Sequence, residues 1–321
     1  MQCMAAVKSS VPAQGNKRIG GRSLPRRMAA HWQVYLFLFP AILYFIVFHY
    51  APMYGVLIAF KNYNASLGIW GSPWAGFSHF ERLFRSYQFI SILKNTILLS
   101  VENLLIGFPI PIIFALMLNQ VKRARIKKAI QTISYAPYFI STVVIVAIIF
   151  VFTYVDTGVV NNLLAAAGFE RIQFMGKASW FRPVYIFTEI WQRTGWDSII
   201  YVAALINISP ELHEAAMVDG ANKLQRVIHI DIPGILPSAV VLFILKAGQL
   251  MKLGFEKAYL MQTTLNLESS EIISTYVYKV GVQQAQFSFA SSAELFNSVV
   301  NLILIVGVNQ ICRMMGETSL W

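Results

Sequence analysis

Six long apolar runs constrain the fold of this chain more than any other feature of its sequence. They span about residues 34–58, 91–118, 132–154, 183–207, 237–253 and 291–312. A helix of about 20 apolar residues crosses a bilayer, and inside the bilayer all backbone hydrogen bonds must be satisfied by the protein. Only 13% of the residues are charged, about half the share in a soluble domain. The sequence therefore predicts an all-α polytopic membrane protein with six transmembrane helices.

The first apolar run follows a polar, basic N-terminal segment, residues 1–33. A secretory signal peptide begins in a similar way, but its apolar region is much shorter than this run and ends at small residues. We therefore expect the run to remain as the first transmembrane helix. The six-helix domain, residues 34–312, is then followed by a short tail, residues 313–321.

Basic residues predict the orientation of the six helices. Fourteen Lys and Arg residues fall on the side of the N-terminus and eight, over longer loops, on the other side. Because cytoplasmic loops carry the excess of basic residues, both termini and the loop 209–237 are predicted to be cytoplasmic. The net charge of +11 thus reflects topology, and nucleic-acid binding is not needed to explain it.

The usual motifs for ATP binding and metal binding are absent from the sequence. No GxxxxGK[ST] loop occurs, so we expect no ATP site of that type and no enzymatic activity in this chain. Its five histidines and two cysteines, Cys3 and Cys312, do not have metal-ligand spacings or form a plausible disulfide framework. We expect neither a cofactor nor a metal in this chain.

The polar segment 209–237 separates the fourth and fifth apolar runs and begins with strong helix signals. Ser209 is a typical N-cap, Pro210 suits the first helical position, and Glu211 complements the helix dipole. Gly220 then permits a tight stop. A second short helix is predicted at residues 222–230.

Pro233 is predicted to end that second helix. A proline restricts the residue before it, here Ile232, to extended geometry. The fifth apolar run would then begin as a separate helix at Pro237.

The same segment carries the spaced pattern EAA-x3-G-x9-I-x-I-P, extended by Asp and Ala around the glycine. Its residues are Glu214, Ala215, Ala216, Asp219, Gly220, Ala221, Ile230 and Pro233. The pattern resembles the EAA loop of permease subunits in binding-protein-dependent ABC importers, although Ile232 stands where the family usually has Leu. The resemblance implies the type I ABC importer permease fold with a cytoplasmic coupling helix.

That resemblance also implies partners in the inner (cytoplasmic) membrane. The coupling helix would dock into a cleft of a separate ATP-binding subunit, and ATP and Mg would be bound there. The implied complex contains a second homologous permease, two ATP-binding subunits and an extracytoplasmic solute-binding protein. Ala215 and Ala216 are small enough to seat the helix deeply in a groove, and Glu214 can bond to the partner or to neighbouring backbone.

The polar segment after the first run indicates a substrate class. Its sequences FKNY, at residues 60–63, and SPWAGFSHF, at residues 72–80, resemble the lipoprotein-B-type branch of sugar permeases. That branch serves complex oligosaccharides, so the resemblance implies a saccharide substrate.

Charged residues inside the apolar runs are the remaining candidates for function. Those near the middle of a run are Glu102, Glu189, Arg193, Asp197 and Lys246. Each costs about 2.5–3.5 kcal/mol at the middle of a transmembrane helix on insertion scales, so such residues are rarely incidental. Lys252 lies near the end of the fifth run, where we expect its side chain to snorkel.

Two interpretations of these charges remain open from the sequence alone. The charges could neutralise one another, with Glu189, Arg193 and Asp197 as a ladder on one helix face and Glu102 paired with Lys246. Alternatively, they could line a saccharide pathway, for which the candidates are Glu189, Trp191, Gln192, Arg193, Trp196, Asp197, Lys246 and Gln249. Unpaired Arg193 and Lys246 would favour an acidic saccharide, as in an alginate-type importer permease.

A transporter driven by an ion gradient is the main alternative function. It would use Glu102 and Asp197 as proton or cation sites, but the two halves of the chain show no clear internal repeat. A membrane-embedded enzyme would need a nucleophile with a base, or a metal constellation, and no such set stands out in the sequence.

Overall fold

The computed structural model describes residues 32–252 and 254–314, and these residues form helices joined by turns. The α-helices are α1 (Trp32–Phe45), α2 (Gly68–Gly71), α3 (Ser78–Arg85), α4 (Tyr87–Gly107), α5 (Pro109–Asn119), α6 (Ala124–Tyr135), α7 (Thr142–Thr153), α8 (Val159–Ala166), α9 (Ala178–Ile206), α10 (Pro210–Val218), α11 (Lys223–Arg226), α12 (Ile232–Ala247), α13 (Phe255–Met261), α14 (Leu267–Ser270), α15 (Ile273–Tyr278) and α16 (Phe287–Met314). Shorter π-helical and 3₁₀ segments adjoin them at Ile46–Tyr50, Ala51–Phe60, Ala136–Phe139, Val227–Asp231 and Lys279–Gln283. Most of the predicted segment 1–33 and most of the tail 313–321 lie outside the described residues.

Four helices among the described residues have the length and composition to cross a membrane. They are Trp32–Phe60, Tyr87–Asn119, Lys223–Ala247 and Phe287–Met314, and the bent pair Ala124–Phe139 with Thr142–Thr153 can supply a fifth crossing. The 29-residue helix α9 is about 43 Å long, which suffices for a sixth. Its charged residues are held in ion pairs, which lowers the cost of placing them in a membrane. The predicted all-α polytopic fold is confirmed, whereas the sixth crossing and the membrane limits along each helix stay predictions.

The third apolar run is not the single straight helix that the sequence predicted at residues 132–154. The chain bends by 98° between Phe139 and Thr142. Ile140 and Ser141 have extended backbone angles, and a short 3₁₀ turn with Pro137 precedes them. The run is apolar throughout, so its composition does not reveal this change of direction.

The predicted break at Pro233 is wrong. The π-helical turn Val227–Asp231 runs directly into α12, and Ile232 has helical angles, φ −63° and ψ −50°. Pro233 therefore lies in the first turn of α12, where its missing N–H is tolerated. At its other end α12 stops at Ala247, before the predicted limit of 253.

Four buried clusters hold the described helices together, and two of them surround the region between α4, α5, α9 and α12. The first cluster joins α4, α7 and α9 to the segment after α12; its largest members are Leu99, Ile145, Phe181, Tyr185, Met261 and Ile272. The second cluster joins α5, α9 and α12 through Ala115, Leu118, Tyr201, Val202, Leu205, Ile235 and Ala239. Residues 254–290, which the sequence indicated as a polar loop, thus contribute fully buried side chains to the core.

Candidate functional site

A cavity of about 280 Å³ lies among α4, α5, α9 and α12. Its wall includes the polar or charged side chains of Ser100, Asn103, Tyr185, Glu189, Arg193, Thr194, Asp197, Lys246, Gln249 and Lys252. A cavity with so many hydrogen-bonding groups, inside a chain as apolar as this one, suits a polar solute and water.

One wall of the cavity is formed by irregular backbone between α12 and α13. The N–H of Met251 donates to Asn301 Oδ1 at 3.0 Å, and the Ser100 hydroxyl donates to the carbonyl of Leu250. Irregular backbone at membrane depth is tolerated where it lines a cavity or is buried in protein. Because α12 ends at Ala247, Lys252 lines the cavity instead of snorkelling from the end of a straight helix as expected.

Two carboxylates inside the predicted spans are held by cations on other helices. Asp197 Oδ2 lies 2.7 Å from Lys246 Nζ, which joins α9 to α12. Glu102 Oε1 lies 3.0 Å from Arg182 Nη1, which joins α4 to α9. The sequence-based pairing of Glu102 with Lys246 is therefore wrong, since each of the two has a different partner.

A third pair, which the sequence did not indicate, holds Glu189. Its Oε2 lies 2.9 Å from Nζ of Lys257 on α13, and the Lys257 side chain is only 4% exposed. Burial lowers the pKa of the Lys257 ammonium, and the adjacent Glu189 carboxylate opposes that shift. A buried cation of this kind needs its carboxylate partner, so Glu189 is committed to Lys257.

Arg193 is held less closely by carboxylates than Lys246 is. Its nitrogens lie 3.7 Å from Glu189 Oε1 and 3.9 Å from Asp197 Oδ1, and its side chain is 49% exposed. These distances place it on the predicted ladder with Glu189 and Asp197 but exceed those of hydrogen bonds. Its guanidinium keeps donors available to the cavity.

The charged groups of this region carry a small positive excess. Among the side chains that line the cavity, the cations are Arg193, Lys246 and Lys252, and the carboxylates are Glu189 and Asp197. The lining therefore carries one positive charge in excess, and Arg193 lies only 3.7 and 3.9 Å from its two carboxylates.

The segment predicted to be a coupling helix forms α10 and the turn that follows it. Ser209 Oγ accepts a hydrogen bond from the N–H of Glu211, which confirms the predicted N-cap. Gly220 has φ +80°, and the N–H of Ala221 closes the turn on the carbonyl of Ala216 at 2.8 Å. Because this left-handed angle favours glycine, the predicted role of Gly220 as the stop is also confirmed.

Most of the surface of α10 is exposed, and only His213 and Ala216 on this helix are half-buried. The side chains of Leu212, Met217 and Val218 are 54%, 52% and 89% exposed. Glu214 and Ala215 are exposed on the same helix. Exposed apolar side chains grouped on a short rigid helix are typical of a protein–protein contact.

The rest of the EAA pattern continues from α10 into the start of α12. Asp219 and Pro233 are exposed, whereas Ala221 and Ile230 are half-buried. The pattern thus covers the exposed helix, its turn and the helical connection to the membrane.

A known protein family matches most of this chain. The family is described as the inner membrane component of binding-protein-dependent transport systems, and it matches residues 107–311. The chain belongs to this family.

Curated relatives of this transport component extend the similarity beyond the family match. The chain is 44% identical over 288 residues to Protein LplB of Bacillus subtilis (strain 168), covering 90% of this chain and 91% of the relative. It is also 44% identical over 288 residues to YteP, the polygalacturonan/rhamnogalacturonan transport system permease protein of the same strain, covering 90% of each chain. The protein is therefore similar to permeases over nearly its whole length.

Solved structures show the same architecture. A chain of a bacterial ABC transporter involved in the import of the acidic polysaccharide alginate matches with a TM-score of 0.85 and 41% identity, covering 91% of this permease and 98% of that chain. A chain of a bacterial alginate ABC transporter, in complex with a periplasmic protein that holds an alginate pentasaccharide, matches with a TM-score of 0.86 and 40% identity, covering 93% of this permease and 100% of that chain.

The cavity of the permease brings together five of the eight residues that the sequence proposed for a substrate pathway: Glu189, Arg193, Asp197, Lys246 and Gln249.

The other three lie outside the lining of the cavity. Trp196 stacks on Tyr138 with ring centroids 4.3 Å apart, Gln192 Nε2 donates to the carbonyl of Ile140, and the Trp191 side chain is half exposed. For all eight residues, a role in the pathway stays a prediction.

Several lining residues were missed from the sequence. Gly248 and Gly254 bracket Lys252, and a glycine at each end of a short apolar stretch indicates that a helix is interrupted there. That signal could have placed Lys252 on the cavity wall. No signal distinguished Ser100 or Asn103 from other uncharged polar residues of a transmembrane helix.

Proposed function

We propose that the permease forms part of the translocation pathway of an ABC importer for an acidic oligo- or polysaccharide. The observation that carries this proposal is the half-exposed side chain of Arg193, which lines a cavity with one positive charge in excess and lies 3.7 and 3.9 Å from the carboxylate oxygens of Glu189 and Asp197. Its planar fork matches a sugar carboxylate in a bidentate manner. Of the two cations that the sequence offered for this role, Lys246 is paired with Asp197, so Arg193 is the better candidate.

The chemistry of the relatives supports an acidic substrate. One relative serves the transport of polygalacturonan and rhamnogalacturonan, and the similar solved structures belong to transporters of alginate, an acidic polysaccharide. Alginate or a related uronic acid oligomer is therefore our best single candidate. In the cavity, Asn103 and Gln249 would bond to its hydroxyl groups.

The exposed face of α10 is the proposed docking site for the motor of the complex. We infer that α10 seats in a cleft of an ATP-binding subunit, which binds ATP and Mg, and that closure of two such subunits moves the membrane helices. The complex would also contain a second homologous permease and an extracytoplasmic binding protein, which delivers the saccharide. Both termini and the loop 209–237 would then face the cytoplasm.

An ion-gradient mechanism is less well supported. It needs carboxylates that exchange a proton or cation, but Glu102 and Asp197 are engaged by Arg182 and Lys246 at 3.0 and 2.7 Å. Membership of a binding-protein-dependent transport family also favours a mechanism in which a binding protein delivers the solute.

The substrate assignment is tested by replacing Arg193 in the assembled importer. With an oligouronate-loaded binding protein, we expect Arg193→Gln to lower uptake about tenfold or more, because a hydrogen bond to a charged group contributes roughly 1.5–3 kcal/mol. Arg85→Gln, which removes a cation from an exposed surface pair, is the control and should keep the native rate. Uptake by Arg193→Gln at the native rate would contradict the assignment.

The docking site is tested by co-purification. Val218→Glu places a charge at the most exposed apolar side chain of α10, and we expect the ATP-binding subunits to be lost from the purified complex. Leu265→Glu makes the same change at a 65% exposed side chain of the segment after α12 and should retain them. Equal retention of the ATP-binding subunits in both variants would refute docking at α10.

A further inference from the structure

A fully buried carboxylate lies where α10 meets the membrane helices. Asp231, the last residue of the π-helical turn before α12, is 0% exposed. Its Oδ1 lies 3.3 Å from His213 Nε2 on α10, and its Oδ2 accepts a hydrogen bond from Gln120 Nε2 at 3.4 Å. Oδ1 accepts no hydrogen bond from the described residues, so its contact with His213 is electrostatic. A buried carboxylate is costly without such partners.

The groups around Asp231 come from three separate elements. His213 lies in the middle of α10, on the side turned towards the protein, and Gln120 directly follows α5. Arg226, at the end of α11, is also close enough to interact electrostatically with the carboxylate. Asp231 itself continues into α12 without a break. One side chain thus joins the proposed docking helix to two membrane helices.

The membrane helices behind Asp231 are packed together as far as the cavity. The second cluster joins α5, α9 and α12, with Leu118, Leu205 and Ile235 each at most 4% exposed. A close-packed core resists deformation, so its members shift together. The same α9 and α12 carry Asp197 and Lys246 to the cavity wall. A displacement of α10 that is passed to Asp231 therefore reaches the substrate cavity.

We propose that Asp231 is a positioning residue that transmits the movement of α10 to the cavity through its contacts with His213 and Gln120. This inference rests on the proposed docking of α10 to the ATP-binding subunit. Breaking the contact should leave α10 docked but loosen its connection to α5 and α12. ATP would then be hydrolysed with less saccharide moved per cycle.

The experiment measures saccharide uptake per ATP hydrolysed by the complete importer in proteoliposomes with loaded binding protein. We expect Asp231→Asn and His213→Gln each to lower this ratio by about fivefold or more, the lower end of ordinary coupling between sites. The double variant should lower it no further than either single variant, because both remove one contact. The ATP-binding subunits should still co-purify with all three.

His229→Gln is the matched control. His229 lies in the same π-helical turn but is exposed, and its ring contacts the carbonyl of Gln225 in its own segment. We expect this variant to keep the native ratio. If Asp231→Asn does not accumulate, His213→Gln still tests the contact, because His213 is only half-buried on α10.

Each other outcome overturns the proposal in a distinguishable way. Uptake and hydrolysis that fall together, with an unchanged ratio, would show that Asp231 serves only folding. Additive losses in the double variant would show that His213 and Asp231 act separately. Absence of ATP-binding subunits from the native complex would refute the docking of α10, and with it the proposed route of transmission.

Discussion

At the scale of single residues, burial decides how much each ion pair matters for the stability of the protein. Lys257 is almost fully enclosed and depends on Glu189, whereas Arg85 and Glu81 form an i,i+4 pair on the surface with side chains 79% and 61% exposed. A surface pair is weakened by water and by the ordering of two long side chains. A buried cation that loses its partner has no solvent to replace it.

We predict that Glu189→Gln destabilises the protein strongly. Removing one member of a buried pair costs about 3–5 kcal/mol in the free energy of unfolding, because the other charge remains buried. The measurement is denaturant unfolding of the purified chain in mixed micelles. Glu81→Gln, the same change in the exposed pair, should cost less than about 1 kcal/mol. Equal losses would mean that Lys257 finds another partner.

At the scale of elements, close approach of backbones fixes where helices cross. A side chain at Gly195 on α9 would overlap the backbone carbonyl of Ser134 on α6. Gly307 lies in α16, and a side chain there would meet nothing within 4 Å. The two glycines therefore have opposite roles, since only Gly195 is required by packing.

Replacing these glycines by alanine should accordingly have opposite effects. We expect Gly195→Ala to lower the free energy of unfolding by about 1–3 kcal/mol, as in other overpacked cores. Gly307→Ala should be neutral or stabilising by up to about 1 kcal/mol, since alanine favours helix more than glycine does. Unfolding in the same micelles compares them. A neutral Gly195→Ala would show that α6 and α9 can separate freely.

In the turn after α10, glycine is required for its backbone angle and not for lack of space. Gly220 and Gly168 have φ +80° and +84°, and a side chain at either would meet nothing within 4 Å. Alanine at either position should therefore cost about 1 kcal/mol of backbone strain and no clash. Only Gly220 directs the proposed docking helix.

We therefore predict that Gly220→Ala lowers saccharide uptake far more than Gly168→Ala, although the two lose similar stability. The assay is uptake by the assembled importer, normalised to the amount of permease in the membrane. Both variants should still insert into the membrane. Equal uptake by the two variants would show that the turn at Gly220 is not needed for transport.

At the scale of the whole molecule, the distribution of basic residues predicts an orientation. Val218 belongs to a segment predicted to be cytoplasmic, and Leu265 belongs to one predicted to lie on the opposite side. Both side chains are well exposed, 89% and 65%, so a reagent in the adjacent solution would reach either.

Cysteine labelling tests that orientation. In a chain produced without the ATP-binding subunits and with Cys3 and Cys312 replaced by serine, we expect Leu265→Cys to react with a membrane-impermeant maleimide in intact spheroplasts. Val218→Cys should react only after the membrane is permeabilised. The reverse pattern would invert the topology and exclude an ATP-binding partner at α10.

The sequence by itself determined the features that depend on neighbouring residues. The six apolar runs predicted the helical membrane fold, the cap at Ser209 and the stop at Gly220 formed as expected, and the EAA pattern indicated the transport family. Each of these depends on local composition, local hydrogen bonds or fixed spacing, which are visible in the sequence.

Only the tertiary structure decided which groups meet. It paired Glu102 with Arg182, gave Glu189 a partner in a segment that looked like a polar loop, and interrupted the fifth span so that Lys252 lines the cavity. It also carried the helix through Pro233 and buried Asp231 beside α10. These outcomes depend on how helices far apart in sequence cross and rotate against one another, and that packing is not encoded in any local pattern.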